Sequence, residues 1–103
     1  MNKEYFEKKF DKDKLMWNLI DYEFIEKIVK VLTFGAEKYS ENSWQTVPNA
    51  KERYFAALLR HIVAWRKGEI KDKESNIEHL AHAACNLMFL YFFDKEEKNE
   101  NNS

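Results

Sequence analysis

Three polar side chains interrupt the most apolar stretch of this sequence: His79, His82 and Asn86 follow an i, i+3, i+7 spacing, which places them on one side of a helix. A buried polar group left unpaired costs about 1–3 kcal/mol, so an aligned trio must find partners. Two readings follow. Either the trio bonds to neighbouring helices and sets their register, or it lines a polar pocket. His61 sits upstream on a face with Tyr54, Leu58 and Trp65, and Glu69, Asp72 and Glu74 lie between His61 and the trio. Imidazole and carboxylate together are reasonable ligands for a divalent cation. His61, Glu69, His79 and His82 are therefore the candidate catalytic residues, and Glu69, Asp72, His79 and His82 the candidate metal ligands. No spacing here has the specificity of a HExxH motif.

A second constellation is cationic. Arg53, Arg60 and Lys67 repeat every seven residues beside Ala56, Ala57 and Ala64. Such a stripe is ordinarily a solvated face, yet small alanines between long cations let phosphates approach closely, and the guanidinium fork matches phosphate oxygens. Glu23 and Glu26 lie three apart, as carboxylate ligands on bundle helices do, but Lys27 and Lys30 follow each by four residues and make surface ion pairs the simpler reading.

The elements that must position these groups are helical. From Asp21, a good N-cap, Phe24, Ile25, Ile28, Leu32 and Ala36 fall on one side of a helix to about residue 39. Residues 40 to 48 read as a loop, with Pro48 opening the next helix, and that helix runs to Lys67 before Gly68 supplies a left-handed stop. After a charged connector over residues 69 to 74, Ser75-Asn76-Ile77-Glu78 reads as a capping box for a last helix to about Phe93. Leu80, Ala83, Ala84, Leu87, Met88, Leu90, Tyr91 and Phe92 cover most of its circumference, which predicts burial on more than one side. Residues 1 to 14 suit a short docking helix or strap.

The expected fold is an all-α small helical bundle with three main helices and a short N-terminal one, a single domain with its core at about residues 14 to 93. Residues 94 to 103, charged and Asn-rich, are expected to be a disordered tail. A chain of 103 residues holds one modest core, yet 45% of it is hydrophobic and 16% aromatic. Part of that surplus is expected to be buried in a homo-oligomer. The net charge of −1 argues against a nucleic-acid partner. The lone Cys85 excludes an intramolecular disulfide, and no signal-peptide run or membrane span is visible; a cytoplasmic protein with no membrane partner is expected.

Several of these segments also carry a resemblance. Gly35-Ala36-Glu37-Lys38-Tyr39 with Asn42 and Trp44, Ala57-Leu58-Leu59-Arg60-His61 with Ala64-Trp65, Gly68-Glu69, Asp72, Glu74-Ser75 and His79-Leu80-Ala81-His82-Ala83-Ala84-Cys85-Asn86 resemble the phage-associated dATP/dGTP diphosphohydrolase N-terminal domain family over residues 14 to 92. The resemblance implies an all-α nucleotide-handling protein related to MazG-like pyrophosphohydrolases, which cleave nucleoside triphosphates to monophosphate and pyrophosphate with magnesium. It departs from them in one respect: their metals sit on ExxE and ExxD carboxylates, whereas the corresponding helices here offer His61, His79 and His82. Asn76 stands where the family tends to have glycine.

The leading expectation is a purine deoxynucleoside triphosphate pyrophosphohydrolase using Mg2+ or another divalent cation. Its substrate-binding candidates are Glu37, Lys38, Tyr39, Asn42, Trp44, Arg53, Arg60, Trp65 and Asn86: Arg53, Arg60 and Lys38 for phosphates, and Tyr39, Trp44 or Trp65 for stacking on the base. The rival expectation is a phage sponge that sequesters a nucleotide or nucleotide second messenger uncleaved. A helical adaptor without a small-molecule ligand is the third.

Overall fold

The structure, a computed structural model, describes residues 12 to 102. Among these residues it is helical, with no strands: α1 spans Tyr22–Lys38, α2 Ala50–Arg66 and α3 His79–Asn102, and 3-10 turns occupy Trp17–Leu19 and Ser43–Thr46. The expected N-terminal docking segment falls almost wholly outside the described residues.

Local chemistry sets most of the boundaries. The Asp21 carboxylate accepts the Glu23 N–H at 3.0 Å and so caps α1. At the end of α2, Gly68 takes φ +102°, its N–H donates to Trp65 O at 2.9 Å, and the Glu69 N–H donates to Ala64 O at 3.0 Å. That is a Schellman stop, as the glycine predicts. Pro48, however, does not open α2. It lies in a turn, and Asn49, in the left-handed region at φ 55°, intervenes before the helix begins at Ala50. The chain must reverse there, and a proline cannot supply a positive φ.

Residues 75 to 78 are not a capping box either. They belong to a tight hairpin closed by an isolated antiparallel bridge between Lys71 and Glu78. Asp72 N–H donates to Ile77 O at 2.9 Å, and His79 N–H donates to Ile70 O at 2.9 Å. The hairpin carbonyl thus satisfies one orphan donor at the start of α3. The Glu78 side chain, instead of reaching back to Ser75, pairs with Lys27 of α1 at 3.4 Å.

The last helix also runs further than its apolar pattern, to Asn102 instead of about Phe93. Lys51 of α2 bridges to Asp94 at 2.7 Å and Glu97 at 2.9 Å, so charged residues past the apolar face still have partners on the neighbouring helix.

α3 is the central element, packed most against α2 and also against α1. Its Ala81 and Cys85 meet Val31 of α1, with Ile28, Leu32, Ile77 and Phe89 around them. Small residues at 81 and 85 let the helices approach closely. A second, aromatic cluster joins the 3-10 turn to both long helices: Trp44 stacks on Phe89 with centroids 4.6 Å apart and meets Phe92 edge-on at 4.9 Å. The Tyr54 hydroxyl donates to Trp44 O at 2.8 Å and fixes that turn. No helix among the described residues is long and apolar enough to cross a membrane.

Candidate functional site

The first turn of α3, the middle of α2 and the hairpin converge on the three histidines of the chain. The His61 and His79 Nδ1 atoms stand 2.8 Å apart, so one ring donates and the other accepts. The rings of His61 and His82 stack with centroids 4.5 Å apart and planes 8° from parallel. His82 Nε2 lies 2.7 Å from Ser75 Oγ and 4.0 Å from Asp72 Oδ2. His79 is buried, and its Nε2 has no hydrogen-bond partner, with Glu69 Oε1 3.5 Å away. The sequence expectation that the polar interruption of α3 meets His61 and the connector carboxylates is realised for His79 and His82. Asn86 is buried too, but its amide donates back to His82 O on its own helix.

Burial and crowding favour the neutral form of His61 and His82. Burial, then the neighbouring His82 and His79, depress His61 from 6.5 to about 4. Burial also lowers His82, against the opposing pull of Asp72. Burial alone would raise Asp72, yet its carboxylate is held below its ordinary value by the Ser75 N–H at 2.9 Å, the Ser75 hydroxyl at 3.1 Å and the nearby imidazoles. The shifts favour an ionised Asp72 carboxylate beside neutral His61 and His82 rings, and metal ligation requires that protonation state of a carboxylate and an imidazole. One ligand atom each from His61, Asp72 and His79 lies within 4.8 Å of the others, a donor set that fits a divalent cation.

Ser75 is the residue that sequence reasoning placed wrongly. Its hydroxyl links Asp72, His82 and the Ile77 N–H at 3.2 Å. The Asp-x-x-Ser spacing of a side-chain-capped turn was a readable signal for it.

A cleft of about 1520 Å³ opens next to the histidines, between the C-terminal half of α1, the 3-10 turn over residues 43 to 46, α2 and α3. Arg53, Arg60, His61, His82 and Asn86 line it, as do Glu37, Lys38, Tyr39, Asn42 and Trp44. Eight of the nine sequence candidates for substrate binding thus line this cleft; Trp65 does not, and is 41% exposed. Helical periodicity put Trp65 beside His61, but one turn along α2 carries it past the end of the cleft. Within the cleft, Trp44 already stacks on Phe89, whereas Tyr39 is 70% exposed.

Lys38 forms an ion pair with Glu74 and lies 5.3 Å from the Tyr39 ring; the Glu74 hydrogen bond raises its pKa. Arg60 lines the cleft and also a smaller side pocket with Lys67 and Glu69, so it reaches toward both the cleft and the connector. Chemically, the concavity offers two guanidinium groups, an exposed aromatic ring and the His61 and His82 imidazoles, behind which stand Asp72 and the buried His79.

Comparison with known proteins places the chain. Residues 6 to 103 match the family model described as dATP/dGTP diphosphohydrolase, N-terminal. A protein of Salmonella phage PMBT28 named dATP/dGTP diphosphohydrolase is 38% identical over 84 residues, which are 82% of this chain and 28% of that protein. The chain therefore spans less than a third of that relative's length. No solved structure matches it. With its all-helical fold and with nearly its whole length matched, the chain belongs to the dATP/dGTP diphosphohydrolase N-terminal family.

Proposed function

We propose that this chain binds a purine deoxynucleoside triphosphate in the cleft between α1, α2 and α3 and hydrolyses it to the monophosphate and pyrophosphate. The observation that carries this reading is the placement of Arg53 and Arg60 on the same concavity as His61 and His82, two members of the three-histidine cluster, within a chain whose relative is named for dATP and dGTP diphosphohydrolysis. Two guanidiniums suit a polyphosphate, since their planar forks pair with its oxygens and always carry charge. Tyr39, the most exposed aromatic ring at the cleft, is the natural platform for the base.

In this reading His61, Asp72 and His79, with Glu69 behind them, hold a divalent cation. When bound, such a cation supplies charge neutralisation on the phosphates and lowers the pKa of a water. The side chains of this chain do the rest. Arg60 and Arg53 orient the phosphates, and His82, stacked on His61 and anchored by Ser75, walls the cation side of the cleft. A homo-oligomer is part of the proposal, because Leu80, Leu87 and Tyr91 of α3 are 38%, 56% and 69% exposed in the single chain.

The deciding experiment is incubation of the purified chain with a panel of nucleotides, with and without a divalent cation, followed by heat release and chromatography of whatever was retained. Deoxypurine monophosphate and pyrophosphate are the expected products. Intact nucleotide recovered at every cation tested would replace hydrolysis with sequestration, and no retained nucleotide would overturn both.

A further inference from the structure

His61 and His79 approach each other through their Nδ1 atoms at 2.8 Å, a separation at which two bare nitrogens repel and something positive must lie between them. A proton serves in the cation-free chain. The far side of His79 decides which ring carries it: a proton on His79 Nδ1 would leave the buried Nε2 a bare acceptor with the Glu69 carboxylate 3.5 Å away, whereas a proton on His61 Nδ1 lets His79 keep its own proton on Nε2. A ring nitrogen facing a carboxylate is best satisfied as N–H. A proton on His79 Nε2 leaves its Nδ1 an acceptor and directs a donor at Glu69. An imidazole that ligates a metal through one nitrogen and donates the other to a carboxylate has this pattern.

We propose that His61, Asp72 and His79 form a site selective for a borderline transition-metal dication of the Zn2+ or Co2+ class over Mg2+, with Glu69 orienting His79 from behind. The inference rests on the reading of this cluster as a cation site and goes beyond it by naming the class of ion. Two of the three donors are imidazole nitrogens. Mg2+ demands near-octahedral oxygen ligands and retains water, whereas imidazole suits Zn2+ and its neighbours. His79 is also 5% exposed, which leaves little room for the hydration shell that Mg2+ gives up reluctantly. His82 is set apart from the ion by its own contacts, because its Nε2 is already engaged by Ser75 Oγ at 2.7 Å.

The test uses the full chain stripped of metal by chelation and dialysis, with no nucleotide present. Calorimetric titration with ZnCl2, CoCl2 and MgCl2 should give one ion per chain for the first two, and an excess of Mg2+ should not displace them. Co2+ loading should give visible absorption bands showing nitrogen ligation. Glu69→Gln, which touches no ion directly, should weaken Zn2+ or Co2+ binding about 10- to 100-fold while leaving the circular dichroism spectrum unchanged. His61→Ala should abolish binding at the same concentrations. Mg2+ binding as tightly as Zn2+ would overturn the proposal, as would affinity indifferent to both substitutions. Failure of any ion to bind would return the cluster to a hydrogen-bonded histidine network. Nucleotide retention by the same metal-free sample is read separately, so loss of the cation site and loss of the nucleotide cleft are distinguishable.

Discussion

Arg60 and His61 are adjacent in sequence yet differ in what holds them. Arg60 is exposed at the junction of the cleft and the side pocket, and no fold-stabilising contact depends on it. Arg60→Ala should therefore change stability by less than about 0.5 kcal/mol, while a lost phosphate fork lowers nucleotide affinity at least tenfold. A thermal melt beside an equilibrium titration checks both halves, and equal affinity for the two proteins would restore Arg60 to a merely solvated face. His61 is the converse case. Its pKa is depressed from 6.5 to about 4 by burial and by the neighbouring rings, so between these values the unfolded chain binds a proton that the folded chain refuses. Stability then falls as pH drops from 6.5 toward 4 and levels off below, with His82 acting in the same direction. The depressed Asp72 acts lower, because its contribution is retained above the carboxylate's ordinary 3.8 and lost beneath it. Denaturant midpoints of the metal-free chain from pH 7 to pH 4 should show the decline, and His61→Gln should flatten it.

At the level of elements, the hairpin between α2 and α3 decides whether the site exists. Two left-handed residues frame it, Gly68 at φ +102° and Asn76 at φ 60°. Asn tolerates that region better than other non-glycine residues, which suits it to position 76. Asn76→Gly should be neutral or slightly stabilising, whereas Asn76→Ala should cost about 1–2 kcal/mol. Unfolding midpoints of the two variants test this, and a stable Asn76→Ala protein would mean that the turn has another conformation. Because Asp72 and Ser75 sit inside this turn, Asn76→Ala should also weaken cation binding without altering any ligand.

The whole molecule leaves much of its apolar surface uncovered. Only Val31, Ala50, Ala81, Ala83 and Cys85 are buried hydrophobics among the described residues, while Phe55, Leu59 and Val63 of α2 are 51%, 46% and 47% exposed, in addition to the Leu80, Leu87 and Tyr91 stripe of α3. Stripes of this kind at helical spacing on two long helices are what an interface between copies requires. Light scattering at micromolar concentration should return a multiple of the 12.5 kDa chain mass. Leu87→Glu should shift it toward the monomer, since a carboxylate in a closed apolar interface is costly. A monomer mass for the unmodified chain would end the oligomer proposal.

Periodicity and stop signals were enough to read the three helices, because amphipathic spacing, the Asp21 cap and the Gly68 stop are local physics carried by adjacent residues. The alignment of His79 and His82 toward His61 was equally legible, since one helix face and one polar interruption leave few places for buried imidazoles to go. Eight of the nine substrate-binding candidates, all but Trp65, line the cleft, and most of them were legible through the arginine repeat and the resemblance of the segment over residues 35 to 44. Tertiary structure alone decided the rest. A Ser-x-x-Glu pattern is the same string whether it caps a helix or turns a hairpin, and the choice fell to partners outside the string: Lys27 on α1 for Glu78, and Asp72 and His82 for Ser75. The continuation of α3 past Phe93 depended likewise on Lys51, more than forty residues earlier in the chain. The cation-fitting geometry is the clearest instance, because it takes one ligand from α2, one from the hairpin and one from α3, and only folding sets distances between elements that the sequence keeps apart.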